Sequence, residues 1–132
     1  MKRLIAAVVL TLMSSVSAAN ELIGVWKLVS GNYADGSGTL VDYKDLDMQA
    51  LKVISTSHFS FTSMKGADFW ASGTGTYELA DGKYTETLHY NSFGQAAGAK
   101  FAFNTRIEDT HWYNERWKDG KRVEYEVWQR VE

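Results

Sequence analysis

Glu86 is the residue whose surroundings in the chain most invite chemistry. It stands in Lys83-Tyr84-Thr85-Glu86-Thr87-Leu88-His89-Tyr90, where apolar and polar residues alternate. On a strand, alternate side chains share a face, so Tyr84, Glu86, Leu88 and Tyr90 point one way and Lys83, Thr85, Thr87 and His89 the other. The second face is polar and faces solvent; the first is an aromatic wall with one carboxylate in it. Burying an unpaired charge costs on the order of several kcal/mol, so Glu86 needs a cation, a hydrogen-bond donor or water. A carboxylate among tyrosines also has the residue type for acid–base work on a lipid-like substrate. The chain carries no nucleophile elbow, phosphate loop or Ser/His/Asp spacing, and no catalytic residue is assigned.

The turns fix what else shares that face. Asp81-Gly82 is the dipeptide of a two-residue type I′ hairpin. That turn sets Tyr77 opposite Glu86, Leu79 opposite Tyr84 and Gly75 opposite Leu88, and directly opposed residues lie on one face. The same reasoning at Asp119-Gly120 groups Trp112, Asn114 and Arg116 with Val123, Tyr125 and Val127. It leaves Glu115, Arg122, Glu124 and Glu126 outside, together with Trp117 and Trp128. An earlier hairpin turning at Thr56-Ser57 places Lys52 with Ile54, Phe59 and Phe61. A single β-bulge inverts any such assignment locally.

The inward set is then mostly apolar, with Glu86, Arg116 and Lys52 charged, Asn114 polar, and Tyr77, Tyr84, Tyr90 and Tyr125 carrying hydroxyls. Such a lining suits a small hydrophobic or amphipathic molecule, its body against Phe59, Phe61 and the tyrosines and its polar head on Arg116 or Lys52. Equally, Glu86 and Arg116 pair with each other, or with tyrosines and water, and do nothing but close the core. Trp70, beside Gly66-Ala67-Asp68, is the candidate to line an entrance. His58, His89 and His111 have no metal-ligand spacing, and neither metal nor cofactor is expected.

Eight to ten strands in meander order carry these residues. Alternation marks 22–30, 49–55, 58–64, 74–80, 83–90, 100–107, 111–118 and 121–131 as strands, with 69–72 a short strand or bend. Residues 32–47 and 91–98 read as loops, the first long enough for a functional lid. Full closure removes exposed strand edges, so an up-and-down antiparallel β-barrel is favoured over a two-sheet sandwich.

The leading residues look like a signal peptide: Lys2 and Arg3, an apolar run over 4–13, and Ser17-Ala18-Ala19 as a cleavage site. The apolar run is too short to span a bilayer as a helix. Residues 1–19 are thus expected to be removed, leaving 20–132 as one exported domain, periplasmic or secreted. With no cysteine in the chain, neither a disulfide nor a lipid-modified cysteine is available. The core must rest on aromatic burial by five Trp, seven Tyr and six Phe. Losing Lys2 and Arg3 takes the formal charge from −2 to −4, and the remaining bases form no cluster, so nucleic acid is not the expected partner.

Leu22-Ile23-Gly24-Val25-Trp26-Lys27-Leu28-Val29-Ser30 resembles the opening strand of the calycin superfamily, the lipocalins and fatty-acid-binding proteins. The series continues with Lys52-Val53-Ile54-Ser55, His58-Phe59-Ser60-Phe61, Gly73-Thr74-Gly75-Thr76-Tyr77, Lys83 to Leu88, and Glu126-Val127-Trp128-Gln129-Arg130-Val131. In that order these segments resemble small exported bacterial lipocalin-like proteins over nearly the whole of 20–132. The resemblance implies a barrel with a central pocket for small hydrophobic molecules. It also implies a structural role for Gly24, Trp26 and Arg130, the arginine packing across the indole. The carboxylate clamp of fatty-acid-binding proteins, Arg-x-Tyr, falls on Glu126-Val127-Trp128 and is not matched, so fatty-acid binding is not carried over.

Overall fold

The computed structural model describes residues 21–132. Nine strands follow one another: β1 (Gly24–Ala34), β2 (Leu40–Asp42), β3 (Met48–Ile54), β4 (His58–Lys65), β5 (Asp68–Ala80), β6 (Lys83–Asn91), β7 (Lys100–Glu108), β8 (His111–Lys118) and β9 (Lys121–Arg130). Each of β3 to β8 pairs antiparallel with the next, and β1 pairs with both β3 and β9, so eight strands close into an up-and-down barrel. β2 is an addition outside that ring, paired with the far end of β1.

Turn chemistry sets the registers. Asp81 and Gly82 both have positive φ (52° and 70°), as do Asp119 and Gly120 (50° and 75°), the backbone a type I′ turn demands. Tyr77 pairs with Glu86, Leu79 with Tyr84 and Gly75 with Leu88, as the Asp81-Gly82 turn predicts. The segment 69–72 belongs to the 13-residue β5. The expected loop 32–47 is largely ordered: it holds the end of β1, β2 and a 3-10 turn, Tyr43–Leu46, capped by the Asp42 carboxylate accepting from the Lys44 N–H.

Four bulges break the alternation. At Val29, β1 slips against β9; at Trp70, β5 slips against β4; at His89, β6 slips against β5; at Val123, β9 slips against β8. The bulge at His89 turns Tyr90 out beside Thr74, leaving it 76% exposed, which overturns its expected inward position. The bulge at Val123 sets Tyr125 and Val127 opposite Glu115 and Tyr113 on the outer face, where Tyr125 is half-buried and Val127 buried. In their place Glu124, Glu126 and Trp128 turn inward opposite Arg116, Asn114 and Trp112. Trp117 stays outside and exposed.

One end of the barrel is solid. Trp26 plugs it, its indole N–H donating to the Leu22 carbonyl at 2.8 Å and its ring meeting Trp112 edge-on at 5.4 Å. Ile54, Phe59, Tyr77, Tyr84 and Leu88 fill the space around it. The Arg130 guanidinium lies 4.2 Å over the Trp26 ring and donates to the Ile23 and Glu21 carbonyls. Gly24 is required here: a Cβ on it would lie 2.1 Å from the Glu132 carbonyl oxygen.

Candidate functional site

Above the plug the barrel is hollow. A cavity of about 330 Å³ reaches from the buried Lys52 and Glu86 to the exposed ring of Trp70. Its space comes from residue size. Ala50, Ser63 and Ala71 stand side by side on β3, β4 and β5, small residues in one cross-strand row, whereas the floor positions carry rings.

At the base, Glu86 is 5% exposed and its Oε1 accepts from Lys52 Nζ at 2.6 Å and from the Tyr84 hydroxyl at 2.9 Å. The Lys52 ammonium lies within 5.0–5.9 Å of five ring centroids, those of Phe59, Phe61, Tyr84, Trp112 and Trp128. Burial alone would lower the lysine pKa, but Glu86 and Glu126 together outweigh it and raise it, so Lys52 stays charged. Burial and the Glu86 carboxylate push the Tyr84 phenol well above its usual range, so it remains a donor.

The cavity wall carries a second charged group. Arg116 Nε donates to Glu124 Oε2 at 3.0 Å, and the guanidinium lies 5.3 Å from the Phe101 ring. Beside them Glu126, 6% exposed, accepts from the Trp128 indole N–H at 2.6 Å. Burial raises the Glu126 pKa to about 8, with Lys52 opposing and the neighbouring Glu124 carboxylate reinforcing the rise. Glu126 is therefore a neutral carboxylic acid at pH 7. Tyr33 and Tyr43 stack at 5.7 Å over this wall, and burial with the nearby Glu126 and Glu124 pushes the Tyr43 phenol up.

Of the residues expected at a site, Lys52, Phe61, Trp70, Glu86 and Arg116 line this cavity, whereas Asn114 and Tyr125 line a second pocket at β7 to β9. Phe59, Tyr77 and Tyr84 lie in the packed core beneath it; the Tyr77 hydroxyl is spent on the Ser55 carbonyl at 2.7 Å. Asn114 is buried in a relay of its own. The Trp112 indole N–H donates to Thr105 Oγ1, and the Thr105 hydroxyl donates to Asn114 Oδ1, each at 2.7 Å. Tyr90 and Tyr125 contribute nothing to the interior. Glu86 and Arg116 do not pair with each other; each has its own partner of opposite charge.

Glu124, Glu126, Tyr33 and Tyr43 belong to the cavity and were not expected there. The signal that points to the two acids is Trp128, which shares their alternation: an indole stranded on an acidic face asks for a bulge upstream. Tyr33 and Tyr43 fall in the stretch read as a loop. Among the described residues no group of three or more His, Cys, Asp or Glu is placed to hold a metal, and no helix is long and apolar enough to cross a membrane.

A closed eight-stranded barrel, a Gly-x-Trp plug crossed by a C-terminal arginine and a hollow opposite end define a lipocalin-like fold. A solved structure of a lipocalin-like protein from Bacteroides uniformis matches it with a TM-score of 0.52 at 20% identity, covering 84% of this chain and 99% of that one. An uncharacterized protein from Bacteroides eggerthii gives a TM-score of 0.49 at 18% identity, over 83% and 98%. Residues 21–132 match the family described as a domain of unknown function, DUF4488, and the chain belongs to it. No curated protein matches the chain.

Proposed function

We propose that the protein is an exported, non-enzymatic carrier or sensor that holds one small amphipathic molecule in its barrel. The carrying observation is the cavity of about 330 Å³, with apolar walls and charged groups fixed at its base and side. That volume is at the lower end of small-molecule pockets, roughly 300–1,000 Å³, and suits a compact ligand. Enzymatic use of Glu86 is disfavoured because both Lys52 and Tyr84 already occupy its Oε1. A partner-binding barrel with a filled interior is disfavoured by the hollow itself. Export rests on the leader-like residues 1–19, which lie outside the described residues.

Native mass spectrometry of protein purified from the producing organism tests the reading. The expected result is a one-to-one adduct that is absent from an Ala71→Trp variant, whose indole would fill the hollow. An empty protein, giving no heat of binding with lipids, retinoids or aromatic metabolites, would overturn it.

A further inference from the structure

The acidic and basic groups in the cavity are unequal in number. Lys52, Arg116, Glu86, Glu124 and Glu126 all line it, three carboxyls against two permanent cations. Lys52 is in contact with Glu86 at 2.6 Å and Arg116 with Glu124 at 3.0 Å. Among the described residues no lysine or arginine forms an ion pair with Glu126. Around it stand Glu124 and Trp128 on its own strand, Arg116 and Asn114 on β8, Lys52 on β3, Glu86 and Tyr84 on β6, Tyr33 on β1 and Tyr43 on the 3-10 turn. An anion entering this space would find each cation already paired. It would have to displace Glu124 from Arg116, or reach an ammonium enclosed by five rings. A cation would find a carboxyl that no lysine or arginine pairs with, held only by the Trp128 N–H and the neighbouring Glu124 carboxylate, and flanked by aromatic faces that attract positive charge.

We infer that the occupant is a cationic amphipathic amine, whose ammonium pairs with Glu126 while its apolar body lies against the rings of the cavity wall. This rests on the ligand-binding reading above and specifies the ligand's charge. Pairing has a stoichiometric consequence. Glu126 carries a proton at neutral pH, so an ammonium that pairs with it expels that proton to solvent, and binding releases about one proton per ligand at pH 7. Well above pH 8 the proton has already left, so affinity for the amine reaches a plateau and release falls toward zero.

Calorimetry with three indoles that share a two-carbon tether separates the possibilities: tryptamine, its alcohol analogue tryptophol, and indole-3-propionate. Titrations run in buffers of different ionisation enthalpy count the protons. Tryptamine is expected to bind at least about tenfold more tightly than either analogue, with close to one proton released at pH 7 and none at pH 9.5. Glu126→Gln removes both the preference and the proton release while leaving tryptophol unchanged. The wild-type proton count stands as a test even if that variant folds poorly. If tryptophol or indole-3-propionate binds as well as tryptamine, or tryptamine binds without releasing a proton, the charge assignment is wrong and the ligand-binding reading survives. If none of the three binds, the cavity reading fails and this inference with it.

Discussion

The two halves of the barrel are built from the same strands and closed by the same registers, yet one is solid and the other hollow. At the plugged end, inward positions hold Trp26, Ile54, Phe59, Tyr77, Tyr84 and Trp112, and the rings touch at centroid distances of 4.9–5.5 Å. At the open end, positions on those strands hold Ala50, Ser63 and Ala71, with acids and an arginine opposite. Strand geometry thus sets the container, and side-chain volume decides where it is filled. Stability should therefore reside in the floor and binding in the upper half, and the two are separable by mutation.

The largest expected effect is at the floor. Trp26→Ala removes a fully buried indole, its hydrogen bond to Leu22 and the platform under Arg130. A loss of about 3–5 kcal/mol is expected in urea unfolding, which for a domain of this size threatens folding outright. The boundary between the halves comes next. Lys52→Met alone leaves Glu86 buried with only Tyr84, and about 3–5 kcal/mol should be lost; the double change Lys52→Met with Glu86→Gln should recover much of it. A double-mutant cycle by equilibrium denaturation measures this. Additive losses would mean that the pair is not coupled across the lumen.

The floor was legible in the sequence and the cavity wall only partly so, for a physical reason. Turn residues announce themselves: Asp81-Gly82 fixed the face of Tyr77, Tyr84 and Glu86, and the Gly24-x-Trp26 pair with Arg130 located the plug. A bulge leaves no such mark. It inserts one residue wherever the backbone tolerates a twist, and β-strand periodicity of two means that a slip of one residue reverses every side chain beyond it. Tyr90 and Tyr125 were lost from the interior this way, and Glu124, Glu126 and Trp128 were gained. The error fell on the half that matters for binding, because two of the four bulges lie at residues that line the cavity, Trp70 and Val123.

Glu126 should also make the upper half sensitive to base. Its folded pKa of about 8 lies above the ordinary carboxyl value of 4.5, so between these values the folded state binds more protons than the unfolded. Stability from this group is full below about pH 4.5 and declines as pH rises toward 8. The raised phenol of Tyr84 and the raised ammonium of Lys52 act in the same direction at higher pH. The urea midpoint is expected to fall between pH 5 and pH 8 in the wild type, and Glu126→Gln should flatten that slope. An unchanged slope in the variant would assign the pH dependence to other groups.

The smallest effect on stability should come from filling the hollow. In a close-packed interior a larger side chain forces strain of about 1–3 kcal/mol. At Ala50 the added ring of Ala50→Phe has empty space to enter, bordered by Ser63 and the Met48 side chain. Its burial should offset the lost rotamer freedom, leaving stability within about 1 kcal/mol of wild type. Ligand uptake, measured by the adduct in native mass spectra, should nevertheless disappear. A variant that is strongly destabilised would mean that the upper half is packed like the floor. A variant that is stable and still binds would place the ligand elsewhere. Only the combination of retained stability and lost binding preserves the distinction between a filled half that holds the fold and an empty half that holds something else.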